Sequence, residues 1–119
     1  MKDHVSPMIH VPDVRAAVAW YERLGFRALQ TYGDGAGGLS FGIVTFGESR
    51  VMFNQGGEPS LARRREVDLY VYTDDLERHY ARIKDLVELR EGLHDTDYGM
   101  REFIVRDLNG FWITFGRDL

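Results

Sequence analysis

Laid over itself at an offset of 62 residues, from Asp13 to Asp75, the second half of this chain matches the first without a gap. Val14, Val18, Tyr21 and Leu24 fall on Leu76, Tyr80, Ile83 and Leu86, in both halves a spacing that gathers apolar side chains on one helix face. Gly37 falls on Gly99, Phe41 on Phe103, Ile43 on Val105, and Val51-Met52-Phe53 on Ile113-Thr114-Phe115. Identities are few, yet apolar positions agree throughout. The expected fold is therefore α+β: two tandem βαβββ modules, about 1–57 and 63–119, with mixed curved sheets, helices outside and a linker at about 54–66.

Local signals agree with that division. "VSPMIHV" reads as a strand, Pro12-Asp13 opens a helix, and Leu24-Gly25 closes it. In the second module "VDLYVYT" is a strand and "DDLERHYARIK" a helix, with Asp74 and Glu77 spaced as a capping box. Three strands follow each helix, at roughly 26–32, 39–46 and 50–54, then 86–91, 101–107 and 111–116. "YGDGAGG", 32–38, is expected to be a mobile loop or bulge because of its four glycines.

Strand alternation sorts side chains by face. Pro7, Ile9 and Val11, then Val67, Leu69 and Val71, and finally Phe111, Ile113 and Phe115 should pack under the helices. The opposite set, Ser6, Met8 and His10 with Asp68, Tyr70, Tyr72, Trp112 and Thr114, should line a concave surface. A face with two tyrosines, a tryptophan, a histidine and a carboxylate suits a planar or cationic ligand. The competing reading is that a dimer partner covers it.

Composition narrows the function. At 119 residues, 44% hydrophobic, the chain supports one core, so a single domain over 1–119 is expected. No apolar run is long enough to span a membrane and "MKDHVSPMIH" lacks a secretion-signal layout, so a cytoplasmic protein with no membrane partner is expected. With no cysteine, disulfides, thiol nucleophiles and Cys-based metal sites are excluded. A net charge of −4 argues against nucleic acid and for neutral or cationic ligands. The basic run Arg63-Arg64-Arg65, followed by Glu66, reads as a solvated connector.

"VPDVRAAVAWYERLGF", "VYTDDLERHYARI" and "YGMREFIVRDLNGFWITF" resemble the glyoxalase/bleomycin-resistance/extradiol-dioxygenase superfamily, the vicinal oxygen chelate proteins, over nearly the whole chain. In its metal-dependent members, ligands stand on the first and last strand of each unit. Those positions fall here on Ser6, Met52, Asp68 and Thr114. Three or four His or carboxylate groups must converge on a catalytic divalent ion, and only Asp68 qualifies, so no metal and no cofactor are expected. A register slip bringing Glu66 or His10 closer would change that.

The likeness is strongest to the metal-free bleomycin-resistance branch. It implies a homodimer whose interface grooves sequester an antibiotic or related aromatic, cationic metabolite without altering it. It also implies that Tyr98 stacks on the ligand, with Tyr32 and the glycine-rich loop as the opposite wall. The ligand-lining set is thus His10, Tyr32, Met52, Asp68, Tyr70, Tyr72, Tyr98, Trp112 and Thr114. The alternative is a lyase, isomerase or dioxygenase with a non-standard metal site or with His10 as general base. His4, His79 and His94 are expected at the surface, Trp20 in packing, and Arg101 and Glu102 either in the drug site or in a surface ion pair.

Overall fold

The computed structural model describes residues 3–33, 35–60 and 64–119, so Asp34 of the glycine-rich stretch and Arg63 of the basic run lie outside the described residues. The chain forms two compact units, Met1–Pro59 and Ser60–Leu119. The first contains β1 (Met8–His10), α1 (Val14–Leu24), β2 (Arg27–Gly33), β3 (Leu39–Phe46) and β4 (Ser49–Asn54). The second contains β5 (Leu69–Tyr72), α2 (Leu76–Ile83), β6 (Glu88–Asp95), β7 (Met100–Arg106) and β8 (Trp112–Asp118). Each unit has a four-stranded mixed sheet, ordered β1-β4-β3-β2 in one and β5-β8-β7-β6 in the other. In both, the first strand runs parallel to the last and the remaining pairs are antiparallel. Among the described residues no helix is long and apolar enough to cross a membrane.

The helix boundaries in the first unit follow from its end residues. Asp13 accepts a hydrogen bond from the Ala16 amide at 3.0 Å, satisfying a donor that the first turn leaves open. Gly25 ends the helix at φ 110°, a conformation glycine adopts without a Cβ penalty. Removing the cap with Asp13→Ala should cost about 0.5–2 kcal/mol in urea unfolding. A loss near zero would mean that water replaces the carboxylate. The buried stripe Val14, Ala17, Val18, Tyr21 and Leu24 lies on the sheet, and Gly42 of β3 permits the approach. A Cβ there would stand 2.8 Å from Val18 Cγ2 and 3.4 Å from Val14 Cγ1. Tyr21 packs against Phe53 and Phe26 at 4.8 and 5.3 Å, and Trp20 packs edge-on to Tyr21, buried as expected.

The second unit departs from expectation at its helix. Its N-cap is Asp75, with no side-chain cap bond, and no capping box forms, because Glu77 is held by Arg117 of β8 at 2.6 Å. His79 is not at the surface: it is 3% exposed, its ring 4.8 Å from that of Phe115. Arg82 donates to its Nδ1 at 2.9 Å, which satisfies a nitrogen that burial would otherwise penalise. Phe103 stacks on Phe115 at 4.9 Å, and these rings are buried together with Val105 and Ile113 of the sheet and Leu76 and Ile83 of α2.

Two strand ends also differ. β1 begins at Met8 and β5 at Leu69, so Pro7 and Val67 are exposed and do not pack under the helices. Gly33, expected in the loop, continues β2 with a register irregularity after Tyr32, and Gly35 and Gly37 take positive φ just beyond.

The repeat holds at the parallel pairs and slips elsewhere. Met8 opposes Met52 as Tyr70 opposes Thr114, and Ile9 opposes Phe53 as Val71 opposes Phe115, all at the offset of 62. On the neighbouring strand Ile43 opposes Met52, but Ile104, not Val105, opposes Thr114. β7 is therefore displaced by one residue against the ungapped repeat. Phe41 corresponds to Glu102, not Phe103, and Gly42 corresponds to Phe103. The extra residue lies in the β7–β8 connection, at Asp107-Leu108-Asn109-Gly110. Buried Asp107 Oδ1 there accepts from the amides of Asn109 and Phe111 at 2.8 and 2.9 Å, and Gly110 takes φ 88°.

Candidate functional site

Alternation on the second sheet, read with the corrected register, puts Phe103, Val105, Ile113 and Phe115 under α2 and leaves Tyr70, Tyr72, Trp112, Thr114, Gly116, Glu102 and Ile104 on the open face. One row across that face runs Tyr72, Gly116, Glu102, His94, each in register with the next. Glycine in the second place decides the geometry. A Cβ at Gly116 would collide with the Tyr70 hydroxyl and lie 2.9 Å from its ring Cζ. With that space open, Tyr70 crosses β8 diagonally and donates to Glu102 Oε2 at 2.7 Å. Tyr98, in the β6–β7 turn, donates to the same carboxylate at 2.8 Å.

Glu102 is only 3% exposed, so its charge is carried by two phenolic donors in place of water. Among the described residues no arginine or lysine pairs with it. His94 Nε2 stands 3.8 Å from Glu102 Oε1 and 3.9 Å from Glu91 Oε2. The phenols respond to this setting. Tyr70 is pushed far above the ordinary tyrosine range, first by burial and then by its hydrogen bond to Glu102. Tyr98 is raised first by its hydrogen bond to Glu102. Both direct their hydroxyl protons to Glu102. Tyr72 packs on Tyr70 with centroids 4.7 Å apart and is 73% exposed, and Tyr98 is 66% exposed.

At the other end of the face, Trp112 lies within cation–π range of Arg64 at 4.0 Å and Arg90 at 5.2 Å. Its Nε1 is buried with no hydrogen-bond partner among the described residues. Asp68 is tied to Arg64 by an ion pair and does not face a ligand unpaired. Thr114 is 8% exposed, in register between Tyr70 and Ile104. Arg101 does not join Glu102: it sits on the helix side, bonded to Asp95 at 2.7 Å and 4.0 Å from Glu77.

The remaining expected residues belong to the first unit. His10 is exposed and its Nδ1 donates to the Gln55 carbonyl at 3.1 Å, which leaves Nε2 as its one basic nitrogen. Met52 is half-buried between Met8 and Ile43. Tyr32 is exposed, with Gln30 donating to its hydroxyl and Phe41 6.0 Å away.

A resident metal does not fit these residues. Ser6, Met52 and Thr114 are weak donors, Asp68 is neutralised by Arg64, and among the described residues no three His, Asp or Glu side chains are placed so as to hold a metal ion. Glu102, Gly116 and His94 were missed as a group by the ungapped repeat, which sets Phe103 where Glu102 belongs. The signal was present: the polar turn at 107–110 is one residue too long for a gapless match.

Against known proteins, residues 3–115 match the model of the Glyoxalase/Bleomycin resistance protein/Dioxygenase superfamily. The crystal structure of TioX from Micromonospora sp. ML1 is similar at TM-score 0.80 and 27% identity, covering 99% of this chain and 100% of that one. A bleomycin resistance determinant encoded on the transposon Tn5 shares the fold at TM-score 0.72 and 19% identity, with 98% of both chains covered. A bleomycin-binding protein complexed with bleomycin does so at TM-score 0.73 and 19% identity, covering 99% of this chain and 100% of that one. No curated protein matches the chain significantly in sequence.

Proposed function

This chain belongs to the Glyoxalase/Bleomycin resistance protein/Dioxygenase superfamily, and on that premise we propose a small-molecule binding protein of the bleomycin-resistance type, acting without metal. Its ligand is an aromatic, cationic compound such as an antibiotic, held without chemical change in a groove of a homodimer. The observation that carries this reading is the buried Glu102 carboxylate under a surface of tyrosine rings, a negative and aromatic field with no arginine or lysine neutralising it among the described residues. Dimerisation is supported by the short strands β1 and β5, each at one edge of its sheet.

The test is titration with metal-free bleomycin in the presence of a chelator, on a Trp20→Phe variant so that emission reports Trp112 alone. Saturable quenching with a Kd of about 1 μM or tighter and a rise in Tm are expected. If neither bleomycin nor other planar cations change emission or Tm, or if the protein purifies with a stoichiometric divalent metal, the reading is wrong.

A further inference from the structure

Resting on that reading, we propose that Glu102, Tyr70, Tyr72 and Tyr98 form a quaternary or alkylated ammonium subsite, distinct from the Trp112 end of the face. The ligand class follows from what each group offers. Tyr70 and Tyr98 donate their hydroxyl protons to Glu102, at 2.7 and 2.8 Å, so the carboxylate oxygens are already occupied and offer a ligand N–H no direct ion pair. Tyr72 and Tyr98 add exposed ring faces. The carboxylate beneath is too covered for direct bonding, yet its charge acts at short range through a partly desolvated layer. A cation with a methylated, non-donating surface matches such a site, because it gains from ring faces and charge without needing a hydrogen bond. Arginine already occupies the Trp112 end, so the ligand's charge belongs at the tyrosine end.

Choline and its uncharged isostere 3,3-dimethylbutan-1-ol, titrated against the full chain and followed by calorimetry and tyrosine ring NMR signals, test the subsite. Choline should bind with a Kd of about 1–10 mM at pH 8, at least about tenfold tighter than the isostere. Glu102→Gln should abolish the preference for charge, and Tyr72→Leu, which leaves the Glu102 hydrogen bonds in place, should weaken choline several-fold. Equal binding of choline and isostere, or no saturable choline binding, overturns the subsite even if bleomycin still binds. Loss of bleomycin binding in the unaltered protein overturns the broader reading instead.

Discussion

Phe115→Ala is expected to destabilise the protein by about 3–5 kcal/mol, read as a fall in the urea midpoint at unchanged slope. Phe115 is fully buried, stacked on Phe103 with planes 13° apart and in ring contact with His79. Its removal leaves a ring-sized void that α2, only eight residues long, must span. Against a total stability of order 5–15 kcal/mol, such a loss leaves a marginal fold. The open face should survive in the fraction that remains folded, with Tyr70 still resisting ionisation. A loss under about 1 kcal/mol would show that α2 settles into the gap, contrary to the close packing described.

One residue further along, Gly116→Ala should have the opposite signature. The new methyl occupies the path of Tyr70, so the phenol leaves Glu102 and a buried carboxylate keeps one donor of two. The cost is about 1–3 kcal/mol, and one more tyrosine should ionise near its ordinary value of 10.0 in an alkaline absorbance titration. The sign follows from the direction of the shift. A phenol held protonated by the fold contributes its full stability below the unfolded value and loses it as pH rises through the raised one. The unaltered protein should therefore lose more stability above about pH 10 than Gly116→Ala does. Identical phenolic titrations and alkaline stabilities in the two proteins would show that Tyr70 does not depend on the glycine. Tyr70→Phe, which keeps the ring over Gly116 and removes only the hydroxyl, separates loss of the hydrogen bond from loss of the packing.

These two neighbours differ in effect because they stand on opposite faces of β8, and that much was legible beforehand. Alternation placed Ile113 and Phe115 under the helix and Trp112 on the open face, where the structure has them. Asp13 and Gly25 marked α1 by the chemistry of its orphan amides and carbonyls. The second helix was harder. Asp74 and Glu77 have capping-box spacing, but a longer-range pairing with Arg117 takes Glu77 away. His79 carries a polar ring at a position where burial between aromatic residues and a bond from Arg82 outweigh its usual place at the surface.

The sequence alone determined the architecture, because a βαβββ unit written twice buries its apolar stripes in the same local way both times. Periodicities of two and of three to four residues suffice for that. Only the tertiary structure decided the site. Whether Glu102 faces the helix or the open side depends on one added residue in the 107–110 turn, and in a strand a shift of one reverses every side chain. The partners that give Glu102 its meaning lie 32 residues away at Tyr70 and four away at Tyr98, and Tyr70 reaches it because the residue between strands is a glycine. A contact across three strands is set by register and by empty space, and neither is written in the residues that make it.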